Sequence, residues 1–161
     1  MKALVVYESF FGNTEKVAQA IGEGLGAQEQ VEIRRVGEVE SEHLTDLTLL
    51  VVGSPTRAFH AAPSIGAFLR TLDANRLDNV KVAAFDTRIA TSDIKSAPLR
   101  FLVNFFGYAA EPIAKKLAKK GGQPLVEPEG FMVSDTEGPL KEGEIERARQ
   151  WGQRIAAKAA S

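Results

Sequence analysis

The 161 residues include no cysteine, which excludes disulfides, thiol catalysis and thiolate metal sites. Charge of either sign is not in excess: the formal net charge is −1, so the overall balance selects neither a nucleic acid nor an anionic membrane as partner. No apolar run is long enough to cross a bilayer. No secretory leader is recognisable at the start, where Lys2 is followed by a short strand-like run without a cleavage pattern. A soluble cytoplasmic protein is therefore expected. The chain also lacks internal repeats, low-complexity segments and linkers. With 44% hydrophobic residues it can bury a proper core, and residues 1–161 are read as one domain.

What is present alternates. Strand-like apolar runs cover Ala3–Tyr7, Val31–Val36, Leu47–Val52, Val80–Phe85 and, more weakly, Leu125–Val133. Helical periodicity covers Thr14–Leu25, Pro63–Leu72, Ala109–Lys120 and Glu142–Lys158. Continuous apolar strands such as Leu49-Leu50-Val51-Val52 suit a parallel sheet covered on both faces. The alternation predicts a doubly wound five-stranded parallel sheet with helices on both sides, its ligand crevice beyond the carboxyl ends of the strands. Pro128 and Gly130 interrupt the last run, as in an edge strand or a break filled by a bulge.

The densest local signal is Val5-Val6-Tyr7-Glu8-Ser9-Phe10-Phe11-Gly12-Asn13-Thr14-Glu15-Lys16-Val17-Ala18. A strand delivers a short loop to a helix start, where unpaired amides and the helix dipole favour an anion. Ser9, Asn13 and Thr14 add side-chain donors. No Lys or Arg stands in the loop, so a phosphate would be held by neutral donors.

That stretch resembles the signature of the flavodoxin family. The apolar pair before Tyr7, the hydroxyl at Ser9, and Gly12, Thr14, Ala18 and Ile21 fall where the family pattern has them. The resemblance runs over nearly the whole chain. It implies a flavodoxin-like fold, bound FMN and electron transfer to redox partner proteins, with Ser9, Phe10, Phe11, Gly12, Asn13 and Thr14 gripping the FMN phosphate. Phe10 and Phe11 depart from the family, which often has Thr there; side-chain hydroxyls are lost but backbone amides remain.

Two further loops would complete the site. Gly53-Ser54-Pro55-Thr56-Arg57-Ala58-Phe59-His60 follows the third strand and precedes a helix opened by Pro63. The family places a hydroxyl, a ring-stacking aromatic and a small residue here, the last with a peptide that flips when the flavin is half reduced. Thr56 and Ala58 match, but Arg57 occupies the aromatic position; its planar guanidinium can stack, and Phe59 is a second candidate. Ser54, Pro55, Thr56, Arg57, Ala58 and Phe59 are thus assigned to one side of the ring. Asp86, Thr87 and Arg88, in the loop Phe85–Ile89, are assigned to the other, reading its polar edge through their backbone. The family's second stacking Tyr is absent there. Phe101, Phe105 and Tyr108 are candidates to fold back. Flavodoxins are typically acidic near the ring, whereas Arg57 and Arg88 would stabilise the fully reduced, anionic flavin and make the second-electron potential less negative.

Other features have plainer readings. Residues 94–108 form an apolar insertion, read as a small helix on the domain edge, a lid over the flavin or a homodimer interface. The fingerprint-like Gly22-Glu23-Gly24-Leu25-Gly26-Ala27 ends a helix instead of opening one, so its glycines read as terminators. His60 reads as an exposed loop residue, His43 as remote from the site, and Asp86 as a turn cap. Ser54, His60 and Asp86 do not make a hydrolase triad, because Gly53-Ser54-Pro55 is not a nucleophile elbow. Lys115, Lys116, Lys119 and Lys120 make a solvated basic face that could dock an acidic partner. No catalytic residue and no metal site are assigned. An FMN-dependent NAD(P)H:quinone-type reductase and a non-redox module that keeps the fold without tight FMN binding stand as alternatives to the carrier.

Overall fold

The computed structural model describes residues 1–27 and 30–161, and of 105 and 106 only the backbone. Strands β1 (Ala3–Tyr7), β2 (Val31–Arg35), β3 (Leu49–Pro55) and β4 (Lys81–Ile89) lie parallel in the order β2-β1-β3-β4. The fifth position is shared by two short pieces, β5 (Gln123–Pro124) and β6 (Glu129–Val133), both parallel to β4 on its outer edge. Pro128 falls between them. A proline has no N–H for a ladder, so the break expected at Pro128 is a gap between two strand pieces instead of a bulge.

Helices α1 (Asn13–Leu25), α2 (Pro63–Thr71), α3 (Ala97–Phe106), α4 (Ala110–Lys119) and α5 (Glu144–Ala160) follow in chain order. Period-two alternation sends β1 and β3 side chains to opposite faces, and both faces are buried. Val5, Tyr7, Val51 and Phe85 join α1 and α5 on one side. Leu4, Val6, Leu50 and Val52 join α2 and α4 on the other. Phe85, Phe131 and Trp151 fill the first core edge to face, with centroids 6.1–6.2 Å apart, the preferred arrangement of aromatic quadrupoles. Gly53 leaves room for this cluster: a Cβ there would meet the Phe85 ring at 2.0 Å.

The glycines of α1 act differently from the reading as helix terminators. Gly26 alone caps the C-terminus, with φ 119°. Gly22 and Gly24 lie inside the helix, where a Cβ would meet Ile33 at 2.3 Å and the Arg149 carbonyl at 2.1 Å. They are small so that α1 can approach β2 and α5 closely. The insertion is helical, as expected. Ile94 and Val103 are buried, but Leu99, Phe101 and Leu102 are exposed, Phe101 by 69%. The helix is therefore only partly packed on the domain edge.

Candidate functional site

The strand order reverses at β1, whose neighbours β2 and β3 lead away on opposite sides, and such a reversal opens a crevice at the carboxyl ends. A cavity of about 250 Å³ lies there, close to the lower end of the range for small-molecule sites, about 300–1,000 Å³. Its walls come from the loop after β1, the ends of β3, β4 and β6, and the segments after β3 and β6.

Gly12 caps α1 with φ 88°, a left-handed conformation that glycine adopts without penalty. It brings no side chain to the helix end. The first-turn amides of Asn13, Thr14 and Glu15 therefore keep no intrahelical acceptor. Ser9, 2% exposed, accepts the Gly12 amide at its Oγ (3.0 Å) and retains its own hydroxyl proton as a donor. Asn13 donates through Nδ2 to the Glu137 carbonyl (3.0 Å). Ser9, Phe10, Phe11, Asn13 and Thr14 all line the cavity, while Phe10 and Phe11 stay 46% and 47% exposed at its mouth. Gly12 shapes the turn without lining it.

The second assigned segment divides. Pro55, Thr56, Arg57 and Ala58 line the cavity; Ser54 and Phe59 do not. Ser54 is fully buried, and its Oγ accepts the Ala62 amide (2.8 Å) while donating to the Pro55 carbonyl (2.9 Å). Its hydroxyl holds the segment after β3 against the start of α2. Arg57 and His60 exchange both backbone bonds at 2.9 Å, and between them Ala58 (φ 46°) and Phe59 (φ 69°) are both left-handed. This is the geometry of a type I′ hairpin turn, built here without glycine. His60 is exposed. Arg57 lies over the Phe10 ring, 4.9 Å from its centroid, and among the described residues no ion pair engages it.

The third segment is strand, not loop. β4 continues to Ile89, with Asp86, Thr87 and Arg88 paired to β6 on one side, and Asp86 and Thr87 to β3 on the other. The ladders and the Thr56 amide, bound to the Thr87 carbonyl at 3.0 Å, engage that backbone, and of the three residues Thr87 and Arg88 line the cavity. Asp86 does not line it. Its buried carboxylate holds the Arg88 guanidinium by two bonds (Oδ1–Nε 2.6 Å, Oδ2–Nη2 2.7 Å) and accepts the Ala110 amide (2.9 Å). Burial pushes the Asp86 carboxyl above the usual range, against the pull of Arg88. Arg88 also stacks on the Tyr108 ring at 3.9 Å, and the Tyr108 hydroxyl bonds to Thr91 (2.8 Å) and donates to the Ile89 carbonyl (3.1 Å). Tyr108 therefore backs Arg88 instead of facing the cavity. Phe101 does not line it either, and Phe105 lies outside the described side chains.

Sequence reasoning missed Ile89, Val133 and Thr136, which complete the lining. The polar run Ser134-Asp135-Thr136 after an apolar strand was a signal of another loop at the same sheet edge. The lining thus combines neutral donors with two arginines and two phenylalanines, of which Phe10, Phe11 and Arg57 are exposed. Among the described residues no His, Asp or Glu cluster could hold a metal, and no helix is long and apolar enough to cross a membrane.

Known proteins match this arrangement. The flavodoxin domain model matches residues 4–133. A flavodoxin of Clostridium saccharobutylicum is 24% identical over 160 residues, 98% of this chain and 97% of that protein. An uncharacterized protein of Methanocaldococcus jannaschii is 38% identical over 88 residues, 51% of this chain and 22% of that protein. This match and a second one from that organism each cover about a fifth of the relative's own length. Among solved structures, a flavodoxin from the domain Archaea superposes with a TM-score of 0.76 at 23% identity, each chain covered in full. With the family model matching most of the chain, from β1 to the end of β6, this chain belongs to the flavodoxin family.

Proposed function

We propose that this protein binds FMN noncovalently and carries electrons between redox partner proteins. The observation that carries the reading is the α1 N-terminus, where a side-chain-free Gly12 cap leaves first-turn amides to a cavity floored by Ser9, Asn13 and Thr14. That donor set fits a phosphate. Thr56, Arg57, Ala58, Thr87, Arg88 and Ile89 line the rest of the cavity, where the ring would lie. Bound FMN supplies the redox chemistry, accepting and releasing one or two electrons. The chain supplies orientation, partial exclusion of water and the local field. Exposed Phe10, Phe11, Arg57 and Ala58 at the opening leave an edge where a partner can approach.

Titrating the apo protein with FMN and riboflavin, followed by the visible spectrum, tests the reading. FMN is expected to bind much more tightly than riboflavin; binding of neither would overturn the proposal and favour a module that keeps only the fold. Rapid unaided NAD(P)H oxidation by the loaded protein would favour the reductase.

A further inference from the structure

We propose that Arg35 and Glu8 form one positioning unit that pins the phosphate loop at Ser9, with Arg35 cancelling the charge of the Glu8 carboxylate next to that loop. The inference rests on the FMN reading above. Residues 9–14 contain no basic side chain. Arg35 ends β2 in direct register with Tyr7 at the end of β1, so parallel pairing sets its side chain beside the loop. Its Nη2 donates to the Ser9 carbonyl, and its Nε donates to Glu8 Oε1 at 2.9 Å. Glu8 Oε1 also accepts the Ser9 amide (2.9 Å), and Oε2 accepts the Ser64 hydroxyl from the first turn of α2 (2.9 Å).

The consequences are geometric and electrostatic. Both backbone groups of Ser9 are pinned by this pair. Its Oγ can then meet the Gly12 amide, and Gly12 fixes the start of α1. A bond thus runs from β2 through Ser9 to the amides that would face the phosphate. A phosphate monoester carries about −1.5 to −2 charge at pH 7, and an uncompensated Glu8 carboxylate beside it would repel it. Arg35 offsets that charge at the loop itself. Glu8 is only 16% exposed and Arg35 45%, so solvent screens the pair in part and its effect is moderate.

The phosphate of FMN is absent from riboflavin, so the ratio of their affinities isolates the loop. Arg35→Gln is expected to weaken FMN about fivefold or more while riboflavin changes less than about twofold. Glu8→Gln/Arg35→Gln, which removes the stranded carboxylate, should recover most of the loss. Arg35→Lys, which keeps the cation, should hold the ratio within about twofold of the parent. An unchanged ratio in Arg35→Gln overturns the proposal, as does a double variant no better than Arg35→Gln alone. If Arg35→Gln failed to fold, a large drop in Arg35→Lys would still refute the role of charge. Wild-type protein that bound neither flavin would instead refute the FMN reading itself.

Discussion

The hydroxyls of Thr14 and Thr87 meet at 2.8 Å, joining the first turn of α1 to the carboxyl end of β4. Both residues are nearly buried, at 2% and 5% exposure. The α1 and β4 walls of the cavity are therefore bonded to each other in the protein alone. Thr87→Val removes one hydroxyl and leaves the other without this partner, at a cost of about 1–3 kcal/mol. Thr14→Val/Thr87→Val should cost less than the sum of the two single changes. Urea unfolding of the apo protein measures both.

Arg57 and Arg88 line the same cavity but differ in charge balance. Arg88 is matched by the buried Asp86 carboxylate, whereas Arg57 rests on Phe10. The expectation that both arginines raise the second-electron potential therefore narrows to Arg57. Arg57→Ala should lower that potential by tens of mV, about 59 mV corresponding to a tenfold change for one electron. Arg88→Ala should instead act on stability, by about 3–5 kcal/mol, because Asp86 would be left buried and unpaired. Redox titration of the flavin-loaded protein and urea unfolding separate the two; a potential indifferent to Arg57 would sink the electrostatic account.

Ala58 and Phe59 hold a turn that suits glycine. A left-handed backbone costs a side-chain-bearing residue roughly 1–2 kcal/mol, offset for glycine by about 0.5–1 kcal/mol of extra unfolded-state entropy. Ala58→Gly should be neutral to slightly stabilising, and Ala58→Val destabilising by about 1 kcal/mol or more, the β-branch being least tolerant of this region. Midpoints in urea give the order directly.

Acid should weaken the fold through Glu8 and Glu144. Burial raises the Glu8 carboxyl, but the Ser9 amide, Ser64 hydroxyl and Arg35 outweigh it and hold the group below the usual range. Burial likewise raises Glu144, and Arg147 and the Met132 amide likewise overcome it. A carboxyl depressed in the folded state contributes stability above its unfolded pKa, about 4.3, and loses it as pH falls through the folded value. Asp86 has the opposite sign: raised by burial, it favours the fold most below its unfolded pKa and loses that contribution as pH rises through the folded value. Glu8 and Glu144 therefore make stability rise with pH below and around their unfolded pKa, Asp86 opposes them, and Glu8→Gln should reduce the rise. A profile unchanged by Glu8→Gln would refute the assignment.

Much of this was written locally. Apolar runs and helical periodicity determine the alternation of β1, α1, β3, α2, β4 and α5, because each element's burial pattern repeats at its own period. Gly12 before Asn13-Thr14 determines a glycine-capped helix start after β1, since that signal needs only a strand, a turn and a helix in sequence. Tertiary structure decided what depends on partners distant in the chain. Asp86–Ile89 became strand because β3 and β6 flank β4 there, and no local pattern encodes that extension. Asp86 became the partner of Arg88, and Ser54 the anchor of Ala62, because their surroundings were sealed by other segments. Thr136 reached the cavity, and Arg35 reached Ser9, through strand order. Register between β1 and β2 sets Arg35 beside Tyr7, and only pairing across the sheet could bring a cation to a loop whose own residues carry none.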